Sequence, residues 1–193
     1  MKAVKNKGAK SVIGLSLLLL AWAACSADNN GLSVTAKITN GTCRVAASPV
    51  SINFDPVYMG RLSSVGATSQ ILPVTLVLSE CNGLGGGGEQ AAIQVEGQMA
   101  QFDSALFLDQ SGTTAKGVGV MLRPEKYTGN PSDFYNPLKA VRSGDYTYNS
   151  LAGKVPENGT TLDYSVGLTT GNHSQPVAAG EVTSTLRFIF LYH

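Results

Sequence analysis

Apolar side chains recur at every second position in short runs of this chain, and no stretch sustains a 3.6-residue apolar period with helix caps. A period of two places successive side chains on opposite faces of a pleated strand, so the chain is confined to extended structure. Leu32, Val34, Ala36 and Ile38 alternate with Ser33, Thr35 and Lys37. Further strands are expected at residues 51–54, 71–78, 91–95, 105–108, 117–122 and 161–168. The last run, 182–192, carries Leu186, Phe188, Phe190 and Tyr192 at even positions. Turn signals separate these runs: Asn40-Gly41, Asn82-Gly83, the glycines of 85–88, Ser111-Gly112, Asn130-Pro131, Asn158-Gly159 and Gly171-Asn172. Many short strands joined by Gly and Asn turns predict an all-β, antiparallel sandwich. The glycine run lacks the Lys-Ser/Thr that a phosphate-cradling loop requires, and no helix pattern starts there, so it reads as a plain loop.

The chain begins with an export signal. Lys2, Lys5, Lys7 and Lys10 precede an apolar run over residues 12–22 that is short for a membrane span and is followed by small residues. Cleavage after Ala27, with Cys25 at −3, is preferred. Cleavage after Ala23, with Ala21 at −3, is the rival. Cys25 also raises lipid attachment, although Trp22 stands where such sites usually carry Leu. Removing residues 1–27 takes four lysines away and turns a formal charge of +1 into about −3. No Lys/Arg run remains, which argues against nucleic acid as a partner. Cys43 and Cys81 survive cleavage, and an even pair in an exported chain reads as a disulfide.

Catalytic chemistry finds no purchase. His173 sits in a Gly-Asn-His-Ser turn and His193 is the last residue. There is no metal-ligand spacing of His or Cys and no Gly-x-Ser-x-Gly elbow. Glu80, Glu89, Asp103 and Asp109 fall near turns and are expected to be solvated. No catalytic residue, metal or cofactor is expected.

The C-terminus carries a family resemblance. Gly180 lies fourteen residues from the end, counted inclusively, Tyr192 is penultimate, and an alternating apolar strand runs between them. This resembles the C-terminal pattern of pilins assembled by the chaperone–usher pathway, of the type 1 fimbrial kind, as does the approach Pro176-Val177-Ala178-Ala179-Gly180. The placement of Cys43 after an alternating arm, and of Cys81 at the end of residues 72–81, is similar to the family's disulfide. Residues 51–54 and 117–120 resemble its internal strands.

The resemblance implies an immunoglobulin-like sandwich lacking its final strand, completed by a strand from another subunit. Residues 28–40 would be the donor arm, with Leu32, Val34, Ala36 and Ile38 as its inward knobs, and 41–193 the pilin domain. Leu32 to Ile38 would span about 23 Å when extended. The family commonly has Gly where Ala36 falls. Gly180, Val182, Leu186, Phe188, Phe190, Tyr192 and His193 would form the acceptor groove and the chaperone contact. Implied partners are other pilin subunits in a head-to-tail polymer, a periplasmic chaperone and an outer-membrane usher, with export through the periplasm to a surface fimbrium. The expected function is that of a structural fimbrial subunit contributing to adhesion. The alternative is a minor adaptor or terminator subunit, with a lectin-like adhesin behind it because the arm follows the signal directly and leaves no room for an extra N-terminal domain.

Overall fold

The computed structural model describes residues 41–83 and 88–193. The signal segment, the arm Leu32–Ile38 and most of the glycine run lie outside the described residues. Nine strands follow in chain order: β1 Gly41–Ser48, β2 Thr68–Gly83, β3 Ala91–Gly97, β4 Met99–Ala100, β5 Asp103–Phe107, β6 Gly119–Arg123, β7 Tyr146–Asn149, β8 Thr160–Thr169 and β9 Leu186–Tyr192. Two short 3-10 turns, Met59–Leu62 and Pro131–Asp133, lie in the connections.

All pairings are antiparallel and make two sheets. One sheet runs β1-β2-β8-β6-β5-β4 and the other β7-β3-β9. Alternation explains the layering. On β2, Val74, Leu76 and Leu78 are buried between the sheets, and on β8 Tyr164 and Val166 do the same. Ile93 and Val95 of β3 and Phe107, Val120 and Leu122 complete this central core. Tyr164 keeps its hydroxyl satisfied against Thr147 Oγ1 at 2.7 Å, which a buried phenol needs.

The larger sheet is buried on its outer face as well. Ala105, Leu106 and Met121 pack there against Phe134 and Ala140, which the β6–β7 connection lays over the sheet. Gly167 makes this possible, because a Cβ at that position would overlap the Phe134 ring. Arg123 is buried here. It donates from Nη1 to the Phe134 carbonyl at 3.1 Å, pairs with Glu125, and lies 4.5 Å from the Tyr127 ring centroid.

Asp103 departs from expectation, being only 7% exposed rather than solvated. Its Oδ1 accepts from the Ala105 amide at 2.9 Å, and its Oδ2 accepts from the Tyr135 hydroxyl at 2.7 Å and the Asn172 amide at 2.8 Å. Three bonds satisfy the carboxylate where little water can reach it. Burial, and then the bond to Asp103, raises the Tyr135 phenol far above its ordinary value.

Several local expectations need correction. Residues 51–54 form no strand, since that stretch is irregular loop whose Ile52 and Phe54 still pack inward. The last run is shorter than its alternation, because β9 begins only at Leu186. Gly41 opens β1 and Asn82-Gly83 closes β2, where turns were expected. Three strands went unpredicted: β1, β4 and β7.

Cys43 on β1 and Cys81 on β2 form a disulfide across a sequence separation of 38. Replacing both by Ser should destabilise the domain by about 4 kcal/mol on the chain-entropy model. Denaturant unfolding of the double variant, with one linked pair found in the wild type by non-reducing peptide mapping, checks this. A change below ~1 kcal/mol would mean the strand pairing alone holds β1 in place.

Candidate functional site: an open seam between the sheets

The two sheets do not close against each other along one side. β1 bonds to β2 and β9 to β3, and neither makes a second strand pairing among the described residues. An edge strand with a free row of N–H and C=O groups is a place where another strand can add. Between these two edges runs a groove of about 610 Å³. One wall is Val45 and Ala47 of β1 with the lip residues 49–54. The other is Val182–Leu186 with Phe188. Its floor is the sandwich core itself: Val74, Leu76, Val120 and Val166.

Local sequence explains each wall. On β1, inward Cys43, Val45 and Ala47 alternate with exposed Thr42, Arg44 and Ala46. Small inward residues leave the seam wide. On β9, Leu186, Phe188 and Phe190 pack against the core yet remain only half-buried, because no strand covers them on the open side. Phe188 stacks obliquely on Tyr164 with centroids 5.2 Å apart, which ties the wall to the floor.

The approach to β9 is pinned by threonines. The Thr183 amide donates to Thr113 Oγ1 at 3.0 Å and the Asp109 amide to the Thr183 carbonyl at 2.8 Å. Thr185 Oγ1 donates to Asp109 Oδ2 at 2.6 Å. These bonds replace strand pairing and hold residues 182–185 extended along the rim.

The structure separates the expected site residues. Val182, Leu186 and Phe188 line the groove. Phe190 continues the inward row, its ring edge-on to Tyr192 at 5.4 Å. Tyr192, the last residue of β9, is not among the lining residues, and its hydroxyl is buried without a hydrogen-bond partner. A Cβ on Gly41 would lie 2.6 Å from that hydroxyl and 2.5 Å from the Asn82 carbonyl, so only glycine lets β1 pass. Gly180 lies away from the lining. A side chain there would collide with the backbone of Thr114 and Ala115. His193 turns to the other side of β3, stacked on Tyr146 at 4.4 Å and bonded from Nε2 to Asn149 Oδ1 at 2.9 Å. Sequence reasoning missed Val45, Ala47, Ile52 and Phe54. The two-residue alternation through 41–48 was the available signal.

The sequence profile described as fimbrial protein matches residues 32–193. Among solved structures, the P pilus rod subunit PapA is similar in fold at 15% identity and a TM-score of 0.51, over 84% of this chain and all of that one. A subunit from a chaperone–usher pilus structure, described in terms of rod uncoiling, matches at 13% identity and a TM-score of 0.50, over 84% of this chain and 94% of that one. No curated protein matches by sequence.

Proposed function

As a member of the fimbrial protein family the chain is a structural subunit of a fimbria, and we propose that it polymerises by accepting a neighbour's N-terminal arm into the open seam. The observation that carries this is the groove whose floor is the hydrophobic core. A sandwich that leaves Phe188 and Leu186 half-covered beside an unpaired strand edge lacks one strand's worth of side chains and hydrogen bonds. An extended segment with apolar residues at every second position supplies both at once, main-chain bonds for the edge and knobs for the groove. Residues 32–38 have that pattern.

In this reading residues 1–27 are removed on export and 28–40 are the arm. Leu32, Val34, Ala36 and Ile38 enter the next subunit. A periplasmic chaperone covers the seam before assembly and an outer-membrane usher passes the subunit to the surface. The donor and acceptor patches are different surfaces, so contacts do not close and a filament results.

The direct test is electron microscopy of fibres sheared from cells carrying this chain with its cognate assembly proteins. Mass spectrometry of the fibres should find the chain beginning after the signal segment. Fibres that lack it, or a surface monomer without fibres, would refute the reading.

A further inference from the structure

Asn-Gly pairs stand at residues 40–41, 82–83 and 158–159. The first begins outside the described residues, and the fold treats the other two differently. Asn158-Gly159 precedes β8 and is tied across to β2 at both of its amide groups. Asn158 Oδ1 accepts from the Cys81 amide at 2.7 Å, and the Gly159 amide donates to the Leu78 carbonyl at 2.8 Å. Asn82-Gly83 is the end of β2, and both residues are exposed. Just before it Glu80 takes a φ of +52°, and the β1–β2 register slips between Thr42 and Arg44. Only two cross-strand pairs lie beyond the slip, Thr42 with Asn82 and Gly41 with Gly83. A strand end held by so few pairs opens more readily than the strand's middle. Asn82 Nδ2 donates to the Glu80 carbonyl at 3.0 Å, two residues back on the same strand end. Its Oδ1 accepts from no group among the described residues.

We infer that Asn82 is a self-modification site, where the folded chain converts asparagine to aspartyl and isoaspartyl forms, while the fold protects Asn158 from the same reaction. The Gly83 main-chain nitrogen gives its proton to water and attacks Asn82 Cγ. The new Cγ–N bond closes a five-membered imide, the Cγ–Nδ2 bond breaks, and ammonia leaves. One water then opens the imide at either of its carbonyls. One opening restores the main chain with an aspartyl side chain, and the other routes the main chain through the former side chain. Glycine favours the attack because no Cβ crowds the nitrogen. At Asn158 the same ring cannot close until the Gly159 amide leaves Leu78 and the carboxamide leaves Cys81. The product falls where β1 begins. The Asn82 main-chain carbonyl lies 2.5 Å from where Gly41 would carry a Cβ, so the two strands already touch there. An isoaspartyl linkage lengthens β2 opposite Gly41, and either product adds a carboxylate close to Glu80, the partner of Arg44.

The test holds the folded chain from Asp28 onward, with its disulfide intact, in warm, mildly alkaline buffer. Mass spectrometry follows the peptides that contain residues 82 and 158, and an isoaspartyl methyltransferase counts isoaspartyl linkages. Acid should form at Asn82 at least about tenfold faster than at Asn158, the factor set by two hydrogen bonds that must open first. In the reduced, unfolded chain the two positions should react alike. Equal or slower reaction at Asn82 in the folded chain would overturn the inference. A slow Asn158 in the unfolded chain would overturn it too, by placing the difference in local sequence rather than in the fold. Acid at Asn82 without isoaspartyl linkages would overturn it by excluding the imide.

Discussion

A peptide covering residues 28–40 should raise the melting temperature of the isolated domain by about 10 °C. Three of its inward residues, Leu32, Val34 and Ile38, are large and apolar, and full burial of such a side chain contributes about 1.5–3 kcal/mol. Ala36 adds little. Together they supply roughly 5–8 kcal/mol, from which ordering a free peptide removes about 2–5. The remaining ~3 kcal/mol, at 2–4 °C per kcal/mol for a domain of this size, gives the shift. The effect must grow with peptide concentration, as mass action requires of a ligand that binds only the folded state. Differential scanning fluorimetry across a titration checks this. A monomer that melts at the same temperature with and without peptide would show that the seam needs no further strand.

The second large effect separates the two ends of the subunit. Ile38→Asp places a carboxylate in the arm, where it touches nothing in its own sandwich if the arm serves a neighbour. The domain keeps its own groove intact, so the variant should accumulate in the periplasm as chaperone complex. At the junction the same carboxylate would enter a groove floored by Val74, Leu76, Val120 and Val166. Burying an unpaired charge there costs several kcal/mol. Surface fibres should fall at least tenfold, with Val34→Asp behaving alike. Immunoblots of periplasmic complex and of sheared fibres, run in parallel, decide the matter. Loss of both would place Ile38 in the subunit's own core, and normal fibres would remove the arm from assembly.

Strong alternation was readable wherever inward residues are large. β2, β3, β8 and β9 carry Leu, Ile, Val, Phe or Tyr at alternate positions through their central stretches; burial follows that register over residues 74–78 of β2, whereas residues 164–169 of β8 are buried on both faces and residues 188–192 of β9 are part-buried on both. β1 escaped notice because its inward set, Cys43, Val45 and Ala47, is small and mixed. Residues 51–54 alternate as a strand does, yet Ile52 and Phe54 serve as the groove's lip on an irregular backbone. Periodicity reports which side chains point inward and is silent on whether a hydrogen-bonding partner lies alongside. The half of the site on β9 was therefore readable from its aromatic row. The half on β1 emerges only from pairing topology, which long-range contacts decide. Asp103 was misjudged for a similar reason: its three partners lie on residues 105, 135 and 172, and nothing local announces their convergence.

The position of the disulfide has a mechanical meaning in a fibre joined through its arms. Tension along such a fibre enters each subunit at Gly41 and pulls β1 lengthwise. Two residues in, Cys43 hands that load covalently to Cys81 on β2, the longest strand and the one paired to both β1 and β8. The hydrogen bonds beyond Cys43 on β1, which border the groove, are thereby spared the pull. If the seam holds a neighbour's arm as proposed, the cross-link would shunt force past the wall that grips it, so that tugging on one joint would not pry open the next.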